Sequence, residues 1–223
     1  MSFELLKNEV EKGMLGKNKG IPMGFPRLNK YIGIRKGIYT LVGGNTGSGK
    51  TSFIDDAYVL NPVDWCIKNK SNVKLKIIYR SMERSKTYKL SKWVSRKIFL
   101  DHGVTIPISK ILGWTEVMTH DEHDLVMMYE DYINQAMEIV TIIDGPENPV
   151  GIAKELKAHA LKNGHIEQVD EFNKVYVAND DDEITLVIID HMGLLKTTKD
   201  QPTKKDAIDK MSNELQYAKQ KIN

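Results

Sequence analysis

The chain has 223 residues, of which 41% are hydrophobic and 28% charged, a balance typical of a folded globular protein. Its 32 basic and 30 acidic residues give a net charge of +2, which excludes a histone-like polycation and predicts no particular partner. The single cysteine excludes a disulfide framework and a multi-cysteine zinc site. The N-terminus shows no signal peptide and no apolar run reaches the roughly 20 residues of a membrane span, so we expect a cytoplasmic protein without membrane contact.

The first predicted element is an amphipathic helix over residues 2–15. Its apolar positions recur at spacings of three and four residues: Phe3, Leu6, Val10 and Met14. The glycine-rich polar stretch 16–20 that follows is typical of a linker, so the helix either folds back onto its own domain or forms a detached arm. We predict a short N-terminal helical arm with its linker over 1–20, and one core domain over 21–223.

Beyond the linker, four short apolar runs predict β-strands. They lie at 38–42, 76–79, 139–143 and 185–189. The last run is continuously apolar, which is typical of a strand buried on both faces.

Helical patterns lie between these strands. Two apolar stripes predict helices: Leu90, Trp93, Val94 and Ile98 form one, and Leu125, Met128, Tyr129, Tyr132 and Ile133 form the other. A third helix is predicted to begin at Asn148–Pro149, the capping residue and the first helical residue, and to stop at Gly164. Strands that alternate with helices predict an α/β fold with a mostly parallel sheet flanked by helices.

The charged residues form blocks along this predicted fold. Between Lys68 and Lys97 there are eleven basic residues and one acid, whereas residues 111–153 contain nine acids and no Lys or Arg. Two solvated faces, or two surfaces that meet between subunits, explain these blocks better than nucleic-acid binding by the basic block alone. Charge by itself therefore assigns no partner.

The strongest motif is the segment 44–51, which reads GNTGSGKT and matches the phosphate-loop pattern G-x-x-x-x-G-K-[ST] in full. It follows a predicted strand and precedes a helical stretch, which is the context that the motif requires. Glycines let backbone N–H groups surround a phosphate, Lys50 reaches the β- and γ-phosphates, and the Thr51 hydroxyl is a ligand for Mg²⁺. The motif predicts ATP and Mg²⁺ as cofactors, with these binding residues: Gly44, Asn45, Thr46, Gly47, Ser48, Gly49, Lys50, Thr51 and Ser52.

Asp190 is the candidate for a second magnesium-holding residue. It directly follows the apolar run 185–189, and a carboxylate at the end of such a strand can hold Mg²⁺, usually through water. The alternative is an ordinary turn residue, which we disfavour because the phosphate loop is present. The next residue is His191 and not a glutamate, so the base that activates water must lie elsewhere.

Glu83 is the candidate for that base. It follows the run 76–79 and is the only acid in the basic block. Its carboxylate would lie near the γ-phosphate if this strand neighbours the phosphate-loop strand. The alternative, which the spacing leaves equally open, is an ion pair with Arg80 or Arg84.

Three further features have ordinary explanations. The acids and histidines of 120–123 are typical of an exposed loop or helix start, and less so of a metal site. Cys66 has no thiolate-stabilising motif and is expected to be inert. Asp55 and Asp56 follow the phosphate loop and are expected to be surface charges of the next helix.

Taken together, the segments around these candidate sites resemble the RecA-fold replicative helicases of the DnaB-like class found in bacteria and phages. The likeness runs from about residue 21 to the C-terminus and rests on these segments: 24–29 with 34–37 before the phosphate loop, 78–83 around Glu83, 144–152, 189–194 around Asp190, and the helix 204–218. The phosphate loop is specific only to the superfamily, and the other segments together narrow it.

The resemblance implies a RecA-like P-loop NTPase core that assembles as a ring, usually a hexamer, with ATP between subunits and single-stranded DNA gripped by central loops. By resemblance, Glu83 polarises the attacking water and Asp190 lies at the magnesium site. The loop 196–205 lies where a DNA-facing loop is expected, and its lysines suit contacts to phosphates: Lys199, Lys204 and Lys205. Without the resemblance, a solvated linker is the better interpretation of this loop.

Two departures from that family shape our expectation of activity. The 43 residues before Gly44 leave no room for the large N-terminal domain of typical members, and the strands expected to carry a γ-phosphate sensor and an inter-subunit arginine have no counterpart before Asn223. We therefore expect a fragment, a split gene product or a protein without autonomous turnover.

Other functions remain open beside the helicase. A recombinase-like or clock-protein-like RecA-fold ATPase, and a nucleotide-binding assembly module without turnover, are both compatible with the motifs. A small-molecule P-loop kinase is disfavoured, because the last third of the chain shows no arginine-rich lid.

Overall fold

A computed structural model describes most of the chain, with residues 2–69, 74–168, 174–180 and 182–221 covered. The chain divides into two compact units, Met1–Lys74 and Leu75–Asn223. The predicted arm and linker therefore lie within the first unit.

The first unit begins with helix α1, Ser2–Met14, which confirms the predicted N-terminal helix. A 3₁₀ turn at Lys17–Lys19 follows it. The apolar stripe of α1 stays in contact with solvent, because each of its four side chains is more than half exposed: Phe3, Leu6, Val10 and Met14.

The remainder of the first unit is built around the helical stretch after the phosphate loop. This stretch consists of α2 (Lys50–Ile54), a π-helical turn (Asp55–Leu60) and α3 (Asn61–Asn69). The Asn61 side chain donates a hydrogen bond to the Met23 carbonyl over 3.0 Å and so ties the residues before the loop to this helix.

Residues 38–42 form no strand, so that prediction is wrong. Ile38 is 58% exposed and Leu41 is 74% exposed. A β-branched run becomes a strand only when another strand supplies hydrogen bonds to its backbone, and none of the strand pairings in the described residues includes this segment.

The second unit contains a three-stranded parallel sheet flanked by helices, which confirms the α/β prediction at that level. Its strands are β1 (Lys74–Ser81), β2 (Val140–Asp144) and β5 (Glu183–Asp190), in the order β2-β1-β5. β5 lies at the edge of this described order. Most of its side chains are consequently only half-buried, although the sequence predicted burial on both faces.

Helices surround the sheet in the predicted order. They are α4 (Lys86–His102), α5 (Ile108–Ile111), α6 (His120–Met127), α7 (Glu130–Ile139), α8 (Pro149–Lys162) and α9 (Lys204–Lys221). α8 begins as predicted, because the Asn148 side chain accepts a hydrogen bond from the Gly151 N–H over 2.9 Å. The second predicted stripe is divided between α6 and α7, because the helix is interrupted at Met128 and Tyr129.

Two apolar clusters hold the second unit together. One joins β1 to α8 and α9 through Ile78, Met82, Ile152, Leu156, Leu195, Ala207 and Met211. The other packs α4 against α6 and α7 through Val94, Ile98, Ile106 and Tyr129. An antiparallel pair that the sequence did not predict, β3 (Gly164–Gln168) and β4 (Lys174–Ala178), lies between α8 and β5 in the chain.

The described part of the chain contains no helix with both the length and the apolar character needed to cross a bilayer.

Candidate functional site

The phosphate loop lies on the surface of the first unit and leads directly into α2 at Lys50, but the strand predicted before it is not formed, so only the helical half of the motif's usual context is present. Gly47 and Gly49 adopt positive φ angles of 80° and 86°, a region that favours glycine. A Cβ on Gly44 would lie 2.7 Å from the Ser48 side-chain oxygen, so the backbone approaches that side chain closely. The conformation of the loop therefore favours glycine at Gly47 and Gly49, and a side chain at Gly44 would require Ser48 to move.

The Lys50 side chain lies across this loop. Its Nζ donates hydrogen bonds to the carbonyl oxygens of Gly44 and Asn45, each over 2.7 Å. The ammonium group is thus held by the same backbone turn that the motif uses to surround a phosphate. Thr51 is half-buried and Ser52 is exposed at the start of α2.

Asp190 ends β5, as predicted, and its carboxylate is buried in a cluster with Tyr79 and Lys89. Its Oδ2 accepts hydrogen bonds from the Tyr79 hydroxyl over 2.9 Å and from Lys89 Nζ over 3.2 Å. Lys89 Nζ also donates to the Tyr79 hydroxyl and lies 4.3 Å from the Tyr79 ring centroid. A buried cation thus compensates the charge of this carboxylate.

Glu83 lies just beyond the end of β1 and is about half exposed. Its Oε1 is 3.3 Å from the Arg84 guanidinium, and its Oε2 is 3.9 Å from His191 Nδ1. Arg80 pairs instead with Glu155 over 2.8 Å. The ion pair with Arg84, one of the two alternatives for Glu83, is therefore formed.

The carboxyl ends of the three sheet strands meet at one edge of the second unit. The Met82 N–H donates to the Asp190 carbonyl over 2.8 Å, and the Gly145 N–H donates to the Ser81 carbonyl over 2.9 Å. This edge brings together the two acids that the sequence singled out, Glu83 and Asp190. The phosphate loop belongs to the other unit.

The loop predicted to face DNA lies between β5 and α9 and is internally bonded. The Thr198 hydroxyl donates to the Gln201 side chain over 2.7 Å, and Lys204 Nζ donates to the Leu195 carbonyl over 2.5 Å. All three lysines, Lys199, Lys204 and Lys205, are exposed, and Lys204 in addition stabilises the loop through its hydrogen bond.

The start of α9 is capped by the end of this loop. The Thr203 hydroxyl donates to the Asp206 carboxylate over 2.6 Å and accepts from the Asp206 N–H over 3.1 Å. The hydrogen bond from the Thr203 hydroxyl, together with one that the Thr203 N–H donates to the same carboxylate over 3.0 Å, lowers the pKa of Asp206.

The structure also tests the three features for which the sequence suggested ordinary explanations. Asp55 is 1% exposed, so its prediction as a surface charge is wrong; the π-helical turn carries it inward. The segment 120–123 begins α6 behind a Thr119 capping box, as the helix-start interpretation predicted, and the described residues contain no group of three or more potential metal ligands. Burial raises the pKa of Cys66 to about 11, which agrees with an inert thiol.

Tyr79 and Lys89 are the residues of this site that sequence reasoning missed. In the sequence Lys89 is one lysine among many in the basic block, yet it precedes the buried Trp93 by four residues and therefore shares its inward face of α4. That spacing was the available signal. Nothing in the sequence indicated that Tyr79 would meet Asp190, since 111 residues separate them.

Comparisons with known proteins return no relative: no family model, no curated protein and no solved structure matches this chain.

Proposed function

We propose that this protein is the ATP-binding and ATP-hydrolysing core of a ring-forming DNA helicase with a RecA-like fold. The phosphate loop binds the nucleotide, Glu83 orients the attacking water, and single-stranded DNA is the polymer on which the ring moves. The proposal combines the complete phosphate-loop motif with the resemblance of the segments around Glu83 and Asp190.

The conformation of the phosphate loop is the observation that carries the proposal. Two left-handed glycines and the close approach at Gly44 create a narrow turn, and the Lys50 ammonium crosses it on two carbonyl oxygens. A phosphate exchanges those neutral acceptors for charged ones, which form roughly twice as strong hydrogen bonds with an ammonium group.

We expect the magnesium ion that accompanies ATP to be held at the phosphate loop. Such an ion keeps several waters and takes one or two protein oxygens beside the phosphates, so it needs no dense cluster of acids. Thr51 would supply a hydroxyl ligand. Asp190, the other residue that the sequence predicts for magnesium, belongs to the second unit, and its Oδ2 already accepts hydrogen bonds from Tyr79 and Lys89. When bound, the ion would neutralise charge on the β- and γ-phosphates.

Nucleotide binding by the Lys50→Ala variant tests the proposal. The ammonium–phosphate contact is worth about 1.5–3 kcal/mol, so we expect the dissociation constant of a fluorescent ATP analogue with Mg²⁺ to rise by roughly 10- to 150-fold. Lys30→Ala removes an exposed lysine from the same unit and should leave the affinity unchanged. Equal affinity in the wild type and in Lys50→Ala would refute the assignment of the loop.

One observation favours a second candidate function, a nucleotide-binding assembly module without turnover. One oxygen of the Glu83 carboxylate already contacts the Arg84 guanidinium over 3.3 Å, so this oxygen is not free to orient a water. The two functions differ in one measurement: the module binds ATP but releases no phosphate at saturating nucleotide, with or without single-stranded DNA.

A further inference from the structure

An aromatic stack lies on the surface of the second unit, beside the end of β1. The Arg84 guanidinium carbon is 4.8 Å from the centroid of the Tyr88 ring. Tyr88 in turn stacks with Trp114, with ring centroids 6.1 Å apart and an angle of 22° between the planes. We call these three residues the stacking platform.

The platform is held in place by the turn after α5. Gly113 adopts a φ of 67° there, and the Trp114 N–H donates to the Ser109 carbonyl over 2.7 Å. Lys110 secures the same turn through ion pairs with Glu122 over 2.8 Å and Glu116 over 3.5 Å. The indole is therefore fixed before any partner arrives, which reduces the conformational entropy that binding costs.

Trp114 remains 63% exposed in this arrangement. Tryptophan has a large apolar surface, and leaving most of it in water forgoes stabilisation that burial would provide. Stacking on Tyr88 alone does not cover it. The free part of the indole is a flat surface suited to another planar, aromatic group.

The α4 side of the platform carries the basic charge that an anionic polymer prefers, whereas Trp114 itself belongs to the acidic stretch 111–153, in which Glu116 and Glu122 are paired with Lys110. Tyr88 belongs to α4, which lies in the block from Lys68 to Lys97 that has eleven basic residues and one acid. Lys86 is exposed at the start of α4, and Lys92 follows Tyr88 by one helical turn. Charge alone did not favour nucleic acid for this block, but here it coincides with a preformed aromatic surface.

We propose that the stacking platform binds a base of single-stranded DNA, with Trp114 stacked on the base and the lysines of α4 next to the adjoining phosphates. Every base has an aromatic face, so such a site accepts any sequence. A duplex keeps its bases stacked on one another and cannot offer one to the platform. The choice of DNA rests on the proposed function, whereas the stacking geometry does not.

Binding of a fluorescein-labelled oligo-dT to the full chain, followed by anisotropy without nucleotide, tests this proposal. Trp114→Ala removes the stacking of one base on an aromatic ring. Because of that loss, the dissociation constant for oligo-dT should rise by about 5- to 150-fold. Trp114→Phe keeps an aromatic ring and should stay within a few-fold of the wild type. Val117→Ala is the matched control, because Val117 is 89% exposed in the same loop and outside the platform.

Tryptophan fluorescence gives a readout that a purely structural role would not change. A base stacked on Trp114 quenches the emission of that tryptophan. Oligo-dT should therefore quench the fluorescence of the wild type, and the part of the quenching that is due to Trp114 should be missing in Trp114→Phe. Lys86→Gln should reduce the slope of log affinity against log salt by about 0.7, the value for one phosphate contact on a single strand.

Several results would overturn the proposal. They are unchanged oligo-dT affinity in Trp114→Ala, equal or tighter binding of a blunt duplex, tighter binding of single-stranded RNA, or equal losses in Trp114→Phe and Trp114→Ala. Because no nucleotide is present, these outcomes are independent of the phosphate loop: Lys50→Ala should bind oligo-dT like the wild type. A failure of ATP binding would therefore not contradict the proposed base-binding site, and a failure of oligo-dT binding would not contradict the proposed nucleotide site.

Discussion

The pair of Lys89 and Asp190 places two opposite charges almost entirely out of water, with side chains that are 1% and 8% exposed. Removing charges from water costs several kcal/mol each, and only their mutual attraction and good hydrogen bonds offset that cost. The Tyr79 hydroxyl contributes by bonding both partners. The pair thus holds α4 against the end of β5.

This pair predicts a large stability effect with a characteristic pattern. Asp190→Asn leaves the buried Lys89 ammonium uncompensated and should lower the free energy of unfolding by about 3–5 kcal/mol. Adding Lys89→Met to that variant removes the stranded charge, so the double variant should be more stable than Asp190→Asn alone. Urea unfolding followed by circular dichroism measures both.

An exposed pair provides the control for this experiment. Lys210 and Glu214 lie 2.7 Å apart with side chains 41% and 30% exposed, so Glu214→Gln should cost about 1 kcal/mol or less. Equal effects of Glu214→Gln and Asp190→Asn would contradict the importance of burial.

Cys66 gives a prediction about pH. Burial raises the pKa of its thiol to about 11, so at pH 8 the folded chain contains very little thiolate. Alkylation by iodoacetamide should therefore be slow at pH 8 and accelerate as the pH rises towards 11. In urea the thiol returns to an ordinary pKa of about 8.5 and should react much faster at pH 8. Cys66 is the only cysteine, so mass spectrometry of the intact chain reports it alone.

At the scale of elements, the phosphate loop depends on backbone conformations that only glycine adopts without strain. Gly47 has a φ of 80°, and placing an L-residue in the left-handed region costs about 1–2 kcal/mol. The free loop of Gly47→Ala escapes this strain by relaxing, and nucleotide binding must then restore the conformation, so the variant should bind the fluorescent ATP analogue up to roughly 5- to 30-fold more weakly.

Gly43 supplies the matched control for that substitution. It lies just before the motif, its φ is not in the left-handed region, and an added Cβ there meets nothing within 4 Å. Gly43→Ala should consequently bind nucleotide like the wild type. If Gly43→Ala and Gly47→Ala behave alike, the conformation of the loop is not what limits binding.

At the scale of the whole molecule, the proposed hydrolysis assigns the role of base to Glu83. Glu83→Gln keeps the shape of the side chain but cannot act as a base. We expect it to retain nucleotide affinity while phosphate release falls by roughly 10²- to 10⁴-fold. Glu167→Gln, which changes an exposed glutamate of β3, should release phosphate at the wild-type rate.

That measurement also separates the two proposed functions. The ATPase is supported if the wild type releases phosphate and Glu83→Gln releases far less. The assembly module is supported if both chains bind nucleotide and neither releases phosphate. Turnover at the wild-type rate in Glu83→Gln would transfer the role of base to another acid.

Local sequence alone determined the elements whose signals are contained in a short window. Periodicity and capping predict α1, the start of α8 at Asn148 and the helix after Lys50. The parallel sheet follows from strand-like apolar runs that alternate with helical patterns. The glycines of the phosphate loop also predicted its conformation from the sequence, because glycine is the residue type that a positive φ favours.

Tertiary structure decided what depends on a distant partner. The run 38–42 has the composition of a strand but gains no pairing segment in the described chain, whereas 74–81 gains one on each side. The sequence predicts Asp55 as a surface charge, but its side chain is buried. Lys89 is one of many lysines in the sequence, and the fold brings it against Asp190, 101 residues away. Composition and periodicity act over a few residues, whereas burial, ladder pairing and charge compensation are set by contacts between segments far apart in the chain, which no local pattern records.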